Sequence, residues 1–289
     1  MSPPGRPKGE YRSAEHEGSP IRSPGRPKGE YRSAEHEGSP IRSPGRPKGE
    51  YRSAQHEGSP VNPRADQAGS DMAGRLSRAC EQLGLAADAG AMAKLLDYLS
   101  QMQRWNRTYN LTAIRDPQQM LVQHLFDSLA AVGPFSEALG APDAAARVYD
   151  VGSGGGLPGV VLAIMRPQWS VTCVDAVEKK TAFVRQMSGA LALPNLQARH
   201  ARIETLDPAD CNIVTSRAFA SLDDFAQLAG RHVRNDGTLV AMKGKLPEDE
   251  ILALHARGEW QVDHIQPLRV PELQAERCLI WMRRSQGTL

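Results

Sequence analysis

Arg147-Val148-Tyr149-Asp150-Val151-Gly152-Ser153-Gly154-Gly155-Gly156-Leu157-Pro158-Gly159, followed by Val160-Val161-Leu162-Ala163-Ile164-Met165, decides the fold. A short apolar run enters a glycine-rich turn and a second apolar run leaves it, which reads as strand, turn and helix. Glycine carries no Cβ, so a ligand can lie against the backbone of such a turn. Gly154, Gly156 and Gly159 spell GxGxxG, the weak fingerprint of dinucleotide binding. Two features oppose that ligand. Gly152 already ends the strand, so the fingerprint begins late. Pro158 stands where the first helical turn would offer N–H groups to a pyrophosphate, and proline has none.

Downstream, short β-rich runs alternate with helical patterns. Strands are expected at 147–151, 170–175, 195–200, 211–216, 237–243, 260–268 and 276–283, and helices at 158–166, 178–191, 222–233 and 247–256. Strands separated by helices form right-handed crossovers and a parallel sheet. No helix separates the last two strands, and Pro271 lies between them, so the sheet ends in an antiparallel hairpin. That plan is the class I S-adenosylmethionine-dependent methyltransferase fold, a seven-stranded, mostly parallel sheet with a terminal hairpin, here with an N-terminal helical extension. Symmetric dinucleotide-binding dehydrogenases are built differently. S-adenosylmethionine has no phosphate and needs close backbone approach with polar partners nearby, which suits the turn.

Upstream, 71–140 is helical. Leu76, Ala79, Cys80 and Leu83 fit one face, as do Met92, Leu95, Leu96, Leu99 and Met102. Asp116-Pro117 is an N-cap with proline at the first helical position, opening a helix with Met120, Leu121, His124, Leu125, Ser128 and Leu129 on or beside one face. Residues 1–70 are a different material, with Gly-Arg-Pro-Lys-Gly-Glu-Tyr-Arg-Ser-Ala-Glu-His-Glu-Gly-Ser-Pro at 5–20 and 25–40, and again at 45–60 with Gln55. So polar a repeat buries too little surface to offset chain entropy, and disorder is expected through 1–70. Gly-Arg-Pro-Lys is similar to the core of a DNA minor-groove hook, but glutamates rather than extra basic residues accompany it. A recent DNA duplication accounts for near-identical copies, with a natural start near Met72 or a tail that is a dispensable tether. The methyltransferase domain is expected to occupy 141–289.

Residues 1–60 hold 11 Lys and Arg against 8 Asp and Glu, and the rest holds 24 against 25, so the folded part is nearly neutral. RNA contact must then come from a local basic patch or from other molecules. Four scattered cysteines, Cys80, Cys173, Cys211 and Cys278, show no metal-ligand spacing; Cys173 and Cys211 sit in apolar runs and read as buried thiols. No apolar run approaches the ~18 residues of a membrane span, and no signal-peptide core is evident. A reduced, cytoplasmic monomer without metal is expected.

Site residues are expected at strand ends. Gly152 and Gly154 belong to the turn. Asp175 ends the second strand, where its carboxylate either accepts both ribose hydroxyls or caps the next helix; both can hold. Ile203 and Glu204 follow the third strand, where they edge an adenine or form a solvated loop. Arg217, at the fourth strand's end, is placed for a cofactor carboxylate or an RNA phosphate, unless it is a plain surface arginine. The Pro-Pro-aromatic motif with which amine methyltransferases hold an exocyclic amine is missing from Thr215-Ser216-Arg217-Ala218-Phe219-Ala220, which argues against an amino acceptor.

Five motifs then occur in order: Trp105-Asn106 with Tyr109-Asn110-Leu111-Thr112-Ala113-Ile114; His124-Leu125-Phe126-Asp127-Ser128; Asp150–Gly159; Ser216-Arg217-Ala218-Phe219; and Lys243-Gly244. Over about 72–284 the chain resembles the bacterial glucose-inhibited-division protein B family of small-subunit ribosomal RNA guanine-N7 methyltransferases. The resemblance implies methylation of one guanine N7 in 16S ribosomal RNA with S-adenosylmethionine, on the small subunit or an assembly intermediate. It implies cofactor contacts from Gly152, Leu157, Ile203, Glu204 and Arg217, and places Asn110, His124, Asp127 and Ser128 at the mouth of the site, unless these four serve as caps and internal hydrogen bonds. Guanine N7 bears a lone pair and no proton, so no catalytic base is expected. A nucleotide-dependent oxidoreductase, and a nucleic-acid-binding protein acting through the repeat, are the competing readings.

Overall fold

The computed structural model describes residues 63–140, 144–217, 219 and 221–285. The repeat, with its expected disorder and minor-groove resemblance, lies outside the described residues. The first helix, α1 (Pro63–Gln82), begins inside 1–70, the segment for which disorder is expected. Leu76, Ala79 and Cys80 are buried along it, as their spacing predicts. Helix α2 (Ala89–Tyr109) starts at Asp88, whose carboxylate accepts from the Ala91 amide at 2.6 Å, and ends at Asn110 in the left-handed region, φ 49°.

The helix expected after Asp116 is broken into three parts. Asp116 caps α3 (Pro117–Met120) by accepting from the Gln119 amide at 2.8 Å. A π-helical turn follows over Leu121–Phe126, then α4 (Asp127–Leu129). Burial is continuous from His124 to Val132, so this segment is enclosed on all sides rather than amphipathic. Such π turns concentrate at functional sites.

After α5 (Val132–Ala138) come β1 (Ala146–Val151), α6 (Gly159–Met165), β2 (Trp169–Asp175), α7 (Glu178–Ala190), β3 (Leu196–His200), β4 (Cys211–Ser216) and α8 (Leu222–Ala229). The remaining elements are β5 (Val233–Lys243), α9 (Glu248–Arg257), β6 (Trp260–Pro267) and β7 (Cys278–Arg284). The sheet order is β3-β2-β1-β4-β5-β7-β6; the first five strands are parallel and β7 runs antiparallel to both neighbours. This is the class I methyltransferase fold, hairpin included. Within the hairpin, β7 is the inner strand, because Cys278–Met282 is an uninterrupted apolar run, buried throughout. Strand β6, with Asp263, His264 and Gln266, takes the exposed edge.

Helix α8 stops short of the expected 233. A Cβ on Gly230 would lie 2.6 Å from Trp260 Cζ2, and Arg284 Nη2 donates to the Gly230 carbonyl at 2.9 Å. The chain turns there into a 3-10 helix, Gly230–His232, and β5 begins earlier than expected, pairing Val233 with Cys211.

Helices cover both faces of the sheet. One apolar cluster runs from Leu76 through α2, the π turn, α6 and Phe183 to Trp281, so the N-terminal helices share a core with the sheet. The second joins Phe225, Leu254 and Trp260 to Val214, Leu239 and Ile280. All four cysteines are buried free thiols. Among the described residues no helix is long and apolar enough to cross a membrane.

The tightest point is where α6 meets β1 and β2. A Cβ on Gly159 would collide with Cys173 Sγ and lie 2.9 Å from Asp150 Oδ2, both fully buried. Overpacking of this kind costs about 1–3 kcal/mol. Gly159→Ala is expected to lower unfolding stability by about that amount in urea titration, whereas an unchanged midpoint would show that the helix slides to make room.

Candidate active site

The carboxyl ends of β1, β2, β3 and β4 lie side by side, and the loops leaving them form one rim. At its centre the glycine turn holds Gly152, Gly154 and Gly156 at φ 66°, 60° and 91°, in the region where side chains are strained. The turn consumes its own donors. Gly152 and Ser153 amides reach the Val174 carbonyl at 2.8 and 3.2 Å, those of Gly156 and Leu157 reach the Ser153 carbonyl at 2.9 and 3.0 Å. The Gly154 amide binds Asp175 Oδ2 at 2.9 Å, and the Gly159 amide binds Asp150 Oδ2 at 2.8 Å. The Leu157–Pro158 peptide is cis. What the turn offers a ligand is backbone shape rather than an array of N–H donors, which is the wrong chemistry for a pyrophosphate.

Beside the turn lies a cavity of about 190 Å³, walled by Gly152, Ser153, Gly154, Gly155 and Leu157 on one side and by Met102, Leu111 and Thr112 of the helical region on the other. Lys180, His124 and Arg217 complete it. A Cβ on Gly154 would meet no atom within 4 Å, so nothing in the chain occupies the space against that backbone. Tyr98, fully buried on α2, donates to the Gly155 carbonyl at 2.7 Å and ties the helical region to the turn. Asn106 braces the opposite wall: its amide donates to the Ile114 carbonyl at 3.1 Å and its carbonyl accepts from the Thr112 amide at 2.9 Å.

A second cavity, about 280 Å³, opens at the end of β5 between Gln123, Asp127, Met242, Lys243, Gly244 and Arg277. His124 and Arg217 line this one too. Asp127, almost wholly buried, accepts from Arg277 Nε at 2.7 Å through Oδ1 and from Arg217 Nη1 at 3.3 Å through Oδ2. Arg217 Nη1 also donates to the Gln123 carbonyl at 3.0 Å, inside the π turn. His124 Nδ1 faces the same carbonyl at 3.2 Å and Nε2 faces Thr112 Oγ1 at 3.0 Å. A carbonyl only accepts, which assigns the proton to Nδ1 and leaves Nε2 accepting from the Thr112 hydroxyl. Burial, then the Arg217 charge, pushes the His124 pKa down to about 4, so the ring is neutral at physiological pH. Lys243 is held by Glu250 Oε2 at 2.8 Å.

A profile of the family described as rRNA small subunit methyltransferase G matches residues 91–280. A protein named ribosomal RNA small subunit methyltransferase G from Bordetella petrii is 69% identical over all 289 residues and the whole of that protein. A protein of the same name from Bordetella pertussis is 71% identical over 217 residues, 74% of this chain and 94% of that one. One from Leptothrix cholodnii is 50% identical over 212 residues, covering 73% and 93%. The chain belongs to this family. It is therefore a methyltransferase that uses S-adenosylmethionine, and the family and cofactor expected from the resemblance hold.

Of the expected residues, Gly152, Gly154, Leu157, His124 and Arg217 meet at the first cavity, and His124, Asp127 and Arg217 at the second. Asp175 is nearly buried and brackets two loops, accepting from Gly154 and, through Oδ1, from the Val177 amide at 2.8 Å. Ile203 is buried in a 3-10 turn (Ile203–Thr205) past β3, and half-exposed Glu204 pairs loosely with Arg202 at 3.6 Å. Asn110 caps α2 and accepts from Arg115 Nη2 at 3.1 Å, lining neither cavity. Ser128 is fully buried and its hydroxyl has no hydrogen-bond partner among the described residues. Sequence reasoning passed over Tyr98, Thr112, Lys180 and Arg277. Only Thr112, inside a quoted motif, left a signal. It also passed over the role of Asp150, whose Oδ1 has no partner among the described residues.

Burial pushes the Asp150 pKa up from 3.8 to about 7, with the Gly159 amide and Arg217 opposing. The folded state then holds a proton that the unfolded chain releases, so this group favours folding at low pH and loses that contribution as pH rises from about 4 to about 7. His124 acts in the opposite sense: its stabilising contribution grows between about 4 and 6.5, where only the unfolded chain is protonated. The two overlap and offset each other. Asp150→Asn is expected to make urea-unfolding stability rise more steeply than wild type between pH 4 and 7, and His124→Gln to make it fall relative to wild type. Parallel pH curves for all three proteins would contradict both shifts.

Proposed function

We propose that the protein transfers the methyl group of S-adenosylmethionine to N7 of one guanine in 16S ribosomal RNA, presented by the small subunit or an assembly intermediate. The observation that supports this reading most is the pair of cavities meeting at His124 and Arg217, one walled by the glycine turn and the other by cationic side chains. Gly152, Gly154 and Leu157 take the amino-acid half of the cofactor, with Lys180 and Arg217 facing its carboxylate. Asp175 takes the ribose: each carboxylate oxygen holds one backbone N–H and keeps a second lone pair. Ile203 and Glu204 edge the adenine. The bound cofactor supplies a sulfonium-activated methyl group.

On the other side His124 and Asp127 face the guanine. Ser128 is buried in α4 directly after Asp127, and Asn110 holds the loop that carries Thr112. No side chain has to remove a proton, because N7 presents its lone pair directly. The chain's contribution is then alignment and exclusion of water. Neutral His124 adds no charge beside the methylated base, which becomes cationic, and Asp127 is the one acid among the described residues lining that cavity.

The reading is tested by mapping N7-methylguanine in 16S ribosomal RNA from cells with and without the protein. One position should lose its methyl group when the protein is absent, and an unchanged map would end the proposal. Arg217→Ala should lower kcat/KM at least ~100-fold, about 2.7 kcal/mol of transition-state stabilisation, with unfolding stability little altered because Arg277 still holds Asp127. Near-normal methylation by this variant would remove Arg217 from the site.

A further inference from the structure

We propose that an apolar trough next to the second cavity receives an unpaired nucleobase adjoining the methylated guanine, an inference that rests on the function proposed above. The trough, about 410 Å³, is floored by Leu246, Ile265, Pro267 and Leu268 and shares Gly244 and Arg277 with the polar cavity. The two are therefore neighbours separated by one guanidinium. Leu246 and Ile265 are 46% and 40% exposed, which is costly for large apolar side chains at the rim of a polar site unless something covers them.

Three features favour a nucleobase. Arg277 is fixed on both sides, Nε to Asp127 at 2.7 Å and Nη1 to the Glu276 carbonyl at 2.8 Å, so its plane is a rigid partition. A fixed guanidinium plane is a stacking platform for bases. The hydrogen bond from the Leu268 amide to the Arg277 carbonyl, 2.7 Å, closes the β6–β7 connection beneath it and holds trough and partition in register. Lys245 and Arg269, in the chain segments that carry the trough, are exposed and have no ion-pair partner among the described residues, leaving two cations for the phosphates of a passing strand. Glu276 is the one acid among the described residues of the lining. A guanine lowered into the polar cavity must leave its stack, and its neighbour loses a stacking partner at the same moment. An apolar trough one guanidinium away replaces that partner.

The test is a cycle crossing protein and RNA changes. Leu246→Ser with Ile265→Thr strips apolar surface from the trough at exposed positions without altering charge. The RNA is 16S RNA with a single abasic nucleotide on the 5′ or the 3′ side of the methylated guanine, presented free or assembled, in whichever form wild type methylates. The variant and one of the two abasic RNAs should each raise KM for RNA about tenfold, in line with stacking on a side-chain platform, with cofactor affinity unchanged. Combined, they should cost no more than either alone. If the losses multiply, or if neither change alters KM for RNA, the trough does not hold that base and the proposal is overturned while the methyl-transfer reading stands. Wild type that leaves every guanine N7 unmethylated would overturn both.

Discussion

The site depends on one contact, the Asp150 carboxylate on the Gly159 amide, made in a space too small for a methyl group. It pins the first residue of α6 to the penultimate residue of β1 and so closes the glycine loop between them at a fixed length. With both ends held, Gly152, Gly154 and Gly156 must all turn left-handed, and the loop amides fold back onto Val174, Ser153 and Asp175. A bound anion therefore finds few free N–H groups there. The same closure leaves an open face of backbone towards α2, where Tyr98 ties the helix to the turn and Met102 lines the wall. Burying an acid without a partner for Oδ1 raises its pKa towards neutrality, so rigidity at the turn comes with a titrating group beneath it.

The π turn is the second device. An enclosed helix has no solvent face, so each residue from His124 to Ser128 has to meet something. Widening the turn exposes the Gln123 carbonyl to Arg217 and His124 together, and brings Asp127 between Arg217 and Arg277. Two arginines on one buried carboxylate would repel each other without it. One wall of the second cavity is thus an ion cluster spread over three segments far apart in the chain.

What was legible in the sequence follows from how local each feature is. The glycine turn, Asp116 cap and strand–helix alternation are written within a few residues, and they appear where expected. Cys278–Met282 could have been read as an inner strand, since an unbroken apolar run needs cover on both faces. The π turn was not legible, because an apolar pattern enclosed all round satisfies a period of 3.6 residues as well as a wider one. Arg277 was not legible either: its partner Asp127 lies 150 positions away, and only the sheet order brings the ends of β7 and α4 together. The positions expected from spacing alone divide on the same principle. Arg217, at a strand's carboxyl end, reaches the cavities, whereas Asn110, at a helix end, is used up by its own cap.

A nearly neutral body can still bind RNA if its charge is unevenly placed. Among the residues lining the second cavity, Arg217, Arg277 and Lys243 face one acid, Asp127. In the proposed reading, placing cations where the strand passes, rather than over the whole surface, limits non-specific affinity, which grows with every phosphate neutralised. It also limits how tightly the body alone can hold RNA, so additional contacts from an assembled subunit would be useful to it. Neutral His124 fits the same logic. In the proposed reading, a protonated imidazole beside Arg217 would oppose the positive charge that arrives on the base, and burial with the Arg217 charge keeps that proton off.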